Sequence, residues 1–329
     1  MTVRWGVVGT GGIARRFAEA MAVVGGGSIV AVASRTAEAA DAYADRFGVA
    51  RRHVGIEALA ADGGVDVVYV ATPNHRHRPD TLLLLEAGHP VLCEKPLALD
   101  AREAAAMVGA ARDRGLFLME AVWSRFLPAY RSLGEVLKEG TIGEVRMVEA
   151  SFGFAAPVMP GHRLFDPAQG GGSLLDVGIY PLQLCSLVLG PPDRVTAGAH
   201  VGETGVDEQL AAVLHHPGGA LGIVSSAITT NLRNDARIVG ERGVIEFPPF
   251  MHCPDHLLVH GPTGTTRIEA AWEGDGLRFQ IEEVHRCLAE GVGESTVMPL
   301  DESLRLSATM DGIRRLVGVR FPSVVEPSA

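Results

Sequence analysis

Continuously apolar runs alternate with amphipathic segments over the first 120 residues. The apolar runs predict strands at 3–9, 28–34, 65–72, 90–95 and 116–121. The periodic segments between them predict helices at 12–24, 36–47, 78–87 and 100–114, several of which stop at a glycine. Asp100, followed by Glu103, has the spacing of a capping box. Buried strands alternating with helices predict a doubly wound parallel sheet of the Rossmann type.

The pattern changes after residue 122, where strands become shorter and follow one another directly. We predict strands at 144–152, 194–201, 209–215, 220–229, 235–240, 243–247 and 256–259, and helices at 173–189, 279–290 and 303–317. Turn residues such as Pro217-Gly218-Gly219 separate neighbouring strands. We therefore predict an α/β protein: a dinucleotide-binding Rossmann domain at 1–121, and a substrate-binding and oligomerisation α+β domain at 122–329 with a large, open, mostly antiparallel sheet.

Composition narrows the class of protein. The chain has 329 residues, a net charge of −10 and a pI near 5.6, which argues against nucleic-acid and anionic membrane partners. No apolar stretch approaches the ~20 residues of a membrane helix, and the first strand leaves no room for a signal peptide. Four scattered cysteines are typical of reduced core thiols, so we expect a cytoplasmic protein.

A glycine-rich turn follows the first strand. In the pattern Gly-x-Gly-x-x-Ala, Gly9 permits a tight turn and Gly11 lets the backbone approach a pyrophosphate. Gly12 and Ile13 open the helix whose N-terminus would hold the phosphate, and Ala14 allows close packing. A glycine-rich turn without a ligand is the alternative, but its place between a strand and a helix favours a dinucleotide site.

The end of the second predicted strand carries Ser34, Arg35 and Thr36. An acidic residue there would bind the ribose 2′-hydroxyl of NAD and repel a 2′-phosphate. A guanidinium flanked by hydroxyls suits that phosphate, so we expect NADP, with NAD possible. The alternative is a solvated surface arginine.

Thr72, Pro73 and Asn74 close the strand at 65–72, at the edge of the sheet where the cofactor crosses, and we expect them to contact it. His77 is expected to be a cofactor or structural contact. Neither the pair of His75 with His77 nor the segment 252–256, His-Cys-Pro-Asp-His, is accompanied by the ligand cluster of a zinc site, so we predict no metal.

Lys95 ends the strand at 90–95, after Glu94 and before Pro96, which favours an extended backbone. This is the edge of the sheet at which we expect the nicotinamide. A lysine there is not on a solvated helix face. We predict that Lys95 is catalytic and also binds cofactor and substrate, and that Glu94 lies at the cofactor.

Asp176 and Tyr180 are four residues apart after a triple glycine, which places them on one face if the segment is helical. Gly178 and Pro181 weaken an α-helix here. Each residue alone fits an ordinary role, a helix cap for the aspartate and a packed phenol for the tyrosine. Together they predict an acid/base pair: a nearby ammonium favours tyrosinate, which can take the proton of an alcohol as hydride leaves its carbon.

With these motifs in place, the whole chain resembles the Gfo/Idh/MocA oxidoreductases, and within them the branch of the dimeric dihydrodiol dehydrogenases and NADP-dependent D-xylose dehydrogenases. The motifs are Ala-Thr-Pro-Asn at 71–74, Val-Leu-Cys-Glu-Lys-Pro-Leu at 91–97, Leu-Met-Glu-Ala-Val-Trp-Ser-Arg-Phe at 118–126, the segment 170–180, and Glu-Thr-Gly-Val-Asp at 203–207. Many members carry histidine at the position of Tyr180, and this branch carries tyrosine.

The resemblance implies further site residues. It implies that Trp123 and Arg125 line the nicotinamide pocket, and that Arg146 and Phe152 lie around the substrate with Asp176. It also implies a homodimer formed through the open face of the second sheet. Two departures are the alanine at 39, where the branch tends to carry a second arginine, and His252, near which it can carry a tryptophan. The first implies weaker binding of NADP or better tolerance of NAD. The second implies a different outer pocket, which favours a sugar over a dihydrodiol as substrate.

We therefore predict an NADP-dependent oxidoreductase that transfers a hydride between the nicotinamide and a carbon–oxygen centre of an aldose, a pyranose, or a related polyol or trans-diol. Three alternatives stay open. The first is a ketosugar reductase in a biosynthetic pathway, and the second is a redox-assisted glycosidase that retains its cofactor. The third is a non-catalytic nucleotide-sensing protein, which would not need the set of Lys95, Asp176 and Tyr180.

Overall fold

The computed structural model describes residues 2–322, which form two compact units. The first unit contains the chain up to Phe126 together with Glu273–Leu304, and the second contains Leu127–Trp272 together with the described residues from Arg305 onwards. The first unit thus includes Glu273–Leu304, a segment that lies beyond the boundary predicted at residue 121 and was expected in the second domain. Its Gly293 carbonyl accepts a hydrogen bond from the Leu118 N–H, at 3.1 Å.

The strands of the described residues are β1 (Val3–Val8), β2 (Gly27–Ser34), β3 (Arg51–Val54), β4 (Val67–Val70), β5 (Val91–Glu94), β6 (Leu118–Ala121), β7 (Val145–Gly153), β8 (Arg194–Val201), β9 (Asp207–His215), β10 (Leu221–Ala227), β11 (Ala236–Gly240), β12 (Val244–Phe247), β13 (His256–Gly261) and β14 (Gly264–Glu269). The α-helices of the same residues are α1 (Gly12–Met21), α2 (Ala37–Phe47), α3 (Ile56–Ala60), α4 (His77–Glu86), α5 (Ala101–Arg114), α6 (Pro128–Lys138), α7 (Ile179–Leu189), α8 (Arg278–Glu290) and α9 (Leu300–Val317).

The first unit has a six-stranded parallel sheet in the order β3-β2-β1-β4-β5-β6. This order confirms the predicted doubly wound fold. The chain winds outward from β1 in both directions, so the carboxyl ends of β1 and β4 form the switch point where such folds bind ligands. Strands β4, β5 and β6 are buried at every position, as their unbroken apolar sequences predict.

Local signals set the ends of several helices in this unit. The Thr36 hydroxyl caps α2, and the left-handed Gly48 ends it. Asp100 caps α5 by accepting a 2.6 Å hydrogen bond from the Glu103 N–H. The Glu103 carboxylate does not return the bond to Asp100 as the capping-box spacing predicts; it accepts from the N–H of the preceding residue, Leu99, at 3.3 Å.

The second unit has an eight-stranded sheet in the order β14-β13-β12-β11-β7-β10-β9-β8. Only the pairing of β7 with β10 is parallel, so the predicted mostly antiparallel sheet is confirmed. Helix α7 packs on β7 and β10 and covers one face. On the other face side chains are at least partly exposed, among them Gln209, Ile223 and Arg237. Alternation between a covered and an open face explains the alternating burial along β9.

One segment of the second unit, Pro167–Leu189, is long and apolar enough to cross a membrane by length and composition. This stretch, which includes α7, contradicts the prediction that no apolar stretch approaches the length of a membrane helix. In the structure 78% of its most apolar window is buried inside the protein. That is the environment of a core helix. All four cysteines are free, and of these only Cys253 is partly exposed.

Candidate active site

The glycine turn after β1 contains one glycine that the fold itself requires. Gly9 has a φ of +98°, and a Cβ atom on it would lie 2.6 Å from the carbonyl oxygen of Ala71. Its N–H donates to the Ala33 carbonyl at 2.9 Å. The turn therefore fits tightly between the ends of β2 and β4, which only glycine allows.

The next two glycines are not explained by packing within the chain. A Cβ atom on Gly11 or Gly12 would meet no protein atom within 4 Å. Gly11 precedes α1, and no side chain caps this helix. Ile13 is half-buried and Ala14 fully buried, with the Ala14 carbonyl accepting from the Tyr43 hydroxyl at 2.8 Å. An uncapped helix N-terminus behind open glycines fits the pyrophosphate of a dinucleotide.

Three polar residues lie at the end of β2. Arg35 is an exposed cation, and the hydroxyls of Ser34 and Thr36 have local partners. Arg35 is exposed and has no ion pair among residues 2–322. Thr36 Oγ1 accepts from the Ala39 N–H at 3.3 Å, and Ser34 Oγ lies 3.5 Å from Thr10 Oγ1. The Arg35 side chain is accordingly available to an anion, whereas the Thr36 hydroxyl already caps α2.

The residues after β4 form a compact turn centred on His77. Pro73 and Asn74 begin a short 3₁₀ helix that leads into α4. The Thr72 hydroxyl donates to Asp80 at 2.9 Å. His77 is fully buried, with Nε2 at 2.9 Å from the Thr72 carbonyl and Nδ1 at 2.7 Å from the Pro96 carbonyl. His77 thus ties this turn to the loop of Lys95. Burial lowers its pKa, although both carbonyls favour the protonated ring.

Lys95 stands in a loop whose neighbours are fixed by buried groups. Burial raises the pKa of Glu94, and the hydrogen bond from the Tyr69 hydroxyl and the charge of Lys95 oppose that shift. On the other side, the Leu97 N–H donates to Glu120 Oε1 at 2.8 Å. The backbone before and after Lys95 is therefore held, and the half-buried Lys95 side chain lies just beyond the carboxyl end of β5, as predicted.

Trp123 and Arg125, both buried, lie on a 3₁₀ helix after β6. The Arg16 guanidinium lies 5.4 Å from the centre of the Trp123 ring. Arg125 Nη2 donates to Glu302 Oε1 at 2.5 Å, in an ion pair whose side chains are 4% and 5% exposed. This pairing gives Arg125 a structural role in the first unit, beside the role at the cofactor that the resemblance implies.

Asp176 and Tyr180 lie close to the start of α7 in the second unit. Residues Leu174–Gly178 form a single π-helical turn, where the sequence predicts a helix weakened by Gly178 and Pro181. The two residues are mostly buried, at 8% and 6% exposure. π-Helical turns inside α-helices occur often at functional sites, because they reorient side chains that a regular helix would place elsewhere.

An aromatic cluster surrounds Tyr180. The Phe152 and His252 rings are stacked, with centroids 4.4 Å apart, and lie 5.4 and 5.2 Å from the Tyr180 ring. Arg163 Nη1 donates to Asp176 Oδ1 at 2.7 Å. The structure therefore places Phe152 and His252 against Tyr180, and Arg163 against Asp176. Arg163 was not among the predicted site residues, whereas His252 was expected near the outer pocket.

Arg146 does not belong to this cluster. It lies on the same strand as Phe152, six residues earlier, which corresponds to roughly 20 Å along β7. Its exposed guanidinium forms ion pairs with Glu144 and Glu241, the latter at 2.6 Å. The structure thus places Arg146 in a surface ion-pair network rather than beside Phe152, because a strand separates residues by about 3.3 Å per position.

Sequence reasoning also missed Asp207. This residue ends the motif at 203–207, which the sequence analysis singled out without a role. Asp207 Oδ2 accepts from the Ser173 hydroxyl and from the Leu174 N–H, each at 2.7 Å. Burial raises the pKa of Asp207 to about 6, although these hydrogen bonds favour its charged form.

The histidines considered for a metal have other partners. His252 stacks on Phe152, and His256 Nδ1 lies 2.6 Å from Asp255 Oδ1. Among residues 2–322, no group of three or more histidine, cysteine, aspartate or glutamate side chains could hold a metal ion.

Comparison with known proteins adds two family models. Residues 3–122 match the model of an oxidoreductase family with an NAD-binding Rossmann fold. Residues 130–246 match the model of the GFO/IDH/MocA C-terminal domain. The first match lies within the first unit and the second match within the second unit.

Curated relatives extend over the whole chain. A trans-1,2-dihydrobenzene-1,2-diol dehydrogenase of Mus musculus is 38% identical over 332 residues, 98% of this chain and 99% of its own length. The human protein of the same name is 36% identical with the same coverage.

Two solved structures are similar in fold and moderately similar in sequence. One is an aldose-aldose oxidoreductase from Caulobacter crescentus complexed with glycerol, with a TM-score of 0.88 and 26% identity, covering 97% of this chain and 98% of its own. The other is a 3-ketoreductase from Actinomadura kijaniata in complex with NADP and TDP-benzene, with a TM-score of 0.87 and 27% identity, covering 96% and 98%.

Proposed function

The chain belongs to the Gfo/Idh/MocA family and is an NAD(P)-dependent oxidoreductase acting on CH–OH groups; from this premise we propose that it uses NADP and acts on a sugar. The reacting group is a carbon–oxygen centre of an aldose or pyranose, or of a related polyol or trans-diol.

The observation that carries the proposal is the placement of Asp176 on the π-helical turn and of Tyr180 directly after it on α7, with the Tyr180 ring beside the stacked rings of Phe152 and His252. A phenol and a carboxylate supply proton transfer and orientation at one point. The adjacent ring faces suit the C–H face of a sugar, and an imidazole adds hydrogen-bonding capacity that a hydrocarbon ring lacks. Relatives named for diols, for an aldose and for a 3-ketone support the same class of substrate.

In this proposal the residues have the roles predicted from the sequence. NADP held at the glycine turn after β1 would supply the acceptor for the hydride of the substrate carbon, and NADPH would supply the donor in the reverse direction. Tyr180 takes or gives the proton of the reacting hydroxyl. Because a free tyrosine has a pKa of ~10, its anion needs a cation to be populated near neutral pH, and Lys95 is proposed to supply that charge. Asp176 orients the hydroxyl, and Arg163 holds Asp176.

The preference for NADP rests on Arg35. The described chain presents this exposed arginine after β2, where an acidic residue would select NAD. Gly9, Gly11, Gly12 and Ile13 form the pyrophosphate turn. The bound NADP in the 3-ketoreductase structure agrees with this choice of cofactor.

Two further parts of the proposal concern the setting of the enzyme. We expect a homodimer formed through the open face of the second sheet, and a cytoplasmic location consistent with four free cysteines. Sedimentation of the purified protein tests the first part, and a monomer at micromolar concentration would contradict it.

The test of the function is absorbance at 340 nm with NADP and NAD in parallel, across a panel of aldoses, polyols and trans-diols. We expect NADPH to appear with one or a few pyranoses, faster than NADH does. Tyr180→Phe, assayed at the same concentration, shows whether the activity belongs to this chain. Turnover of trans-diols alone would contradict the sugar assignment.

Reduction of a ketosugar is the second candidate, favoured by the structural similarity to the 3-ketoreductase. It uses the same residues in the opposite direction. Loss of NADPH absorbance with keto sugars, combined with no NADPH formation from any alcohol of the panel, would favour it. Silence in both directions would contradict both candidates.

A further inference from the structure

The π-helical turn, which carries Asp176 and leads directly into Tyr180 on α7, is attached at its N-terminal end to the sheet of the second unit. Asp207, the first residue of β9, accepts hydrogen bonds there from the Ser173 hydroxyl and the Leu174 N–H, each at 2.7 Å. The Ser173 hydroxyl also lies 2.8 Å from the hydroxyl of Ser226, on β10. Two neighbouring strands therefore hold a single serine at the entry to the turn.

The glycines around the turn fit this attachment. Gly172 has a φ of +110°, and a Cβ atom on it would collide with Oδ1 of Asp207. At the other end of the turn, a Cβ atom on Gly178 would lie 3.1 Å from the Ser226 hydroxyl oxygen. Glycine at both positions lets the turn approach the strands closely, so the height of the turn over the sheet is determined at two points.

Burial makes these contacts strong determinants of position. Ser173 is fully buried, and Asp207 and Ser226 are each 2% exposed. Water cannot readily replace a lost partner at such depth, so removal of the carboxylate leaves the Leu174 N–H and the Ser173 hydroxyl without their acceptor. Leu174 lies only two residues before Asp176, and any shift of the turn is passed on to both Asp176 and Tyr180.

We propose that Asp207 is a positioning residue for the reaction: by binding the N-terminal end of the π-helical turn, it sets the placement of Asp176 on the turn and of Tyr180 directly after it. It does not touch the reacting atoms and acts through the turn, with Ser173 and Ser226 completing the attachment. The inference rests on the proposed function only in assigning Asp176 and Tyr180 to the chemistry.

The kinetic test compares Asp207→Ala with Asp207→Asn. The asparagine keeps one oxygen that can accept both hydrogen bonds, whereas alanine keeps none. We expect Asp207→Ala to lower kcat by roughly tenfold to a hundredfold, the cost of a small displacement of catalytic groups, and Asp207→Asn to restore most of it. The Kd for NADPH should stay unchanged in both. Equal kcat in wild type and Asp207→Ala would overturn the proposal.

A matched control and a double variant separate positioning from general damage. Glu208→Gln removes the neighbouring carboxylate of β9 and should leave kcat within about twofold of wild type, as expected for a change away from the attachment. In the background of Tyr180→Phe, Asp207→Ala should cause little further loss, because both changes act through the same group. Full additivity of the two losses would contradict action through Tyr180.

A second measurement does not depend on activity. Hydrogen–deuterium exchange of the cofactor-free protein should show faster exchange in peptides covering 170–182 for Asp207→Ala than for Glu208→Gln or wild type. If Asp207→Ala does not fold, Ser226→Ala provides the same comparison with a milder change. Unchanged exchange in this segment overturns the proposal even if no substrate is found. If exchange is faster but the wild-type protein turns over no substrate, the attachment by Asp207 is supported and only the proposed function is refuted.

Discussion

Arg163 and Asp176 form an ion pair across a large difference in exposure: the arginine side chain is 53% exposed, whereas the aspartate side chain is 11% exposed. Arg163 lies in the connection between β7 and the π-helical turn, and its Nη1 atom is 2.7 Å from Oδ1 of Asp176. The exposed guanidinium of Arg163 thus orients the mostly buried carboxylate of Asp176, four residues before Tyr180.

We expect Arg163→Gln to lower kcat by about tenfold, since Asp176 loses the partner that orients it. Arg163→Lys should retain part of the activity, because it keeps the charge without the planar geometry. Arg233, which pairs with Asp235 at 2.7 Å and is 86% exposed, provides the control in Arg233→Gln. Steady-state kinetics at 340 nm make the comparison. Equal losses in the two glutamine variants would show that Arg163 has no specific role.

Gly11→Ala separates a folding requirement from a binding requirement. A Cβ atom on Gly11 meets no protein atom and its φ is −72°, so the cofactor-free variant should melt close to wild type. If a pyrophosphate approaches this backbone, the methyl group should weaken NADPH binding on the order of tenfold, about 1.4 kcal/mol. Differential scanning fluorimetry and fluorescence titration measure the two quantities. Gly63→Ala, also in open space, is the control, and equal NADPH affinities in both variants would refute the assignment.

Arg35→Asp should change the cofactor preference. The carboxylate would accept hydrogen bonds from a ribose and repel a 2′-phosphate, so the ratio of kcat/KM for NADP to that for NAD should fall by about a hundredfold or more. Arg114→Asp makes the same charge change at the end of α5 and should leave the ratio near that of wild type. An unchanged ratio in Arg35→Asp would mean that Arg35 does not contact the phosphate.

Tyr180→Phe removes one oxygen atom and should lower kcat by about 10²–10⁴-fold, the usual worth of general acid–base catalysis. The Kd for NADPH should remain nearly intact. Lys95→Met should cause a loss of similar size. Tyr43→Phe is the control, because it removes a buried phenol oxygen that donates to the Ala14 carbonyl. This variant should have a lower melting temperature and a nearly unchanged kcat. Comparable kcat in Tyr180→Phe and wild type would remove the tyrosine from the mechanism.

Glu120 should make the free energy of unfolding decrease as pH rises, because its pKa is raised in the folded protein. Burial raises its pKa from 4.5 to about 7, an effect that the hydrogen bond from Leu97 and the charge of Arg125 only partly offset. Between these two values the folded protein keeps this proton and the unfolded chain releases it. The free energy of unfolding should therefore fall as pH rises from about 5 to about 8.

Denaturant titrations at pH 5, 6, 7 and 8 measure this effect. One unit of pKa shift corresponds to about 1.4 kcal/mol, so Glu120 accounts for a change of the order of 3 kcal/mol over the full range. Glu120→Gln keeps an acceptor for Leu97 and should reduce the slope. Some slope should remain, because burial also raises the pKa of Asp207, to about 6. Identical pH profiles in wild type and variant would contradict the assignment.

The sequence predicted the parallel sheet well because its strands are buried on both faces and read as unbroken apolar runs. It missed β3 and β14, which lie at the edges of their sheets and expose alternate or nearly all positions. Such strands are formed by pairing with a neighbour rather than by their own hydrophobicity. Helix α6 was missed although Pro128 at its start and the buried Tyr130 and Leu133 gave a readable signal.

In the candidate site too, local relationships could be predicted from the sequence and long-range contacts could not. The pairing of Asp176 with Tyr180 is a prediction from their spacing, since residues four apart in one helical segment share a face. The contacts of Arg163, Asp207 and His252 could not be predicted, because each joins residues 13 or more positions apart and depends on the tertiary path of the chain. Arg146 shows the converse error, in which a residue assigned by resemblance lies in a surface ion-pair network.

The hydrogen bond from the Leu118 N–H to the Gly293 carbonyl has a consequence for synthesis on the ribosome. The hydrophobic core of the first unit includes Leu300, so the apolar surface around β6 stays uncovered until that residue has left the exit tunnel. At about 5–20 residues per second this interval lasts on the order of ten seconds or more. The inserted second unit can fold during that time. The Rossmann core can therefore close only after the residues of the second unit up to Trp272 have been synthesised.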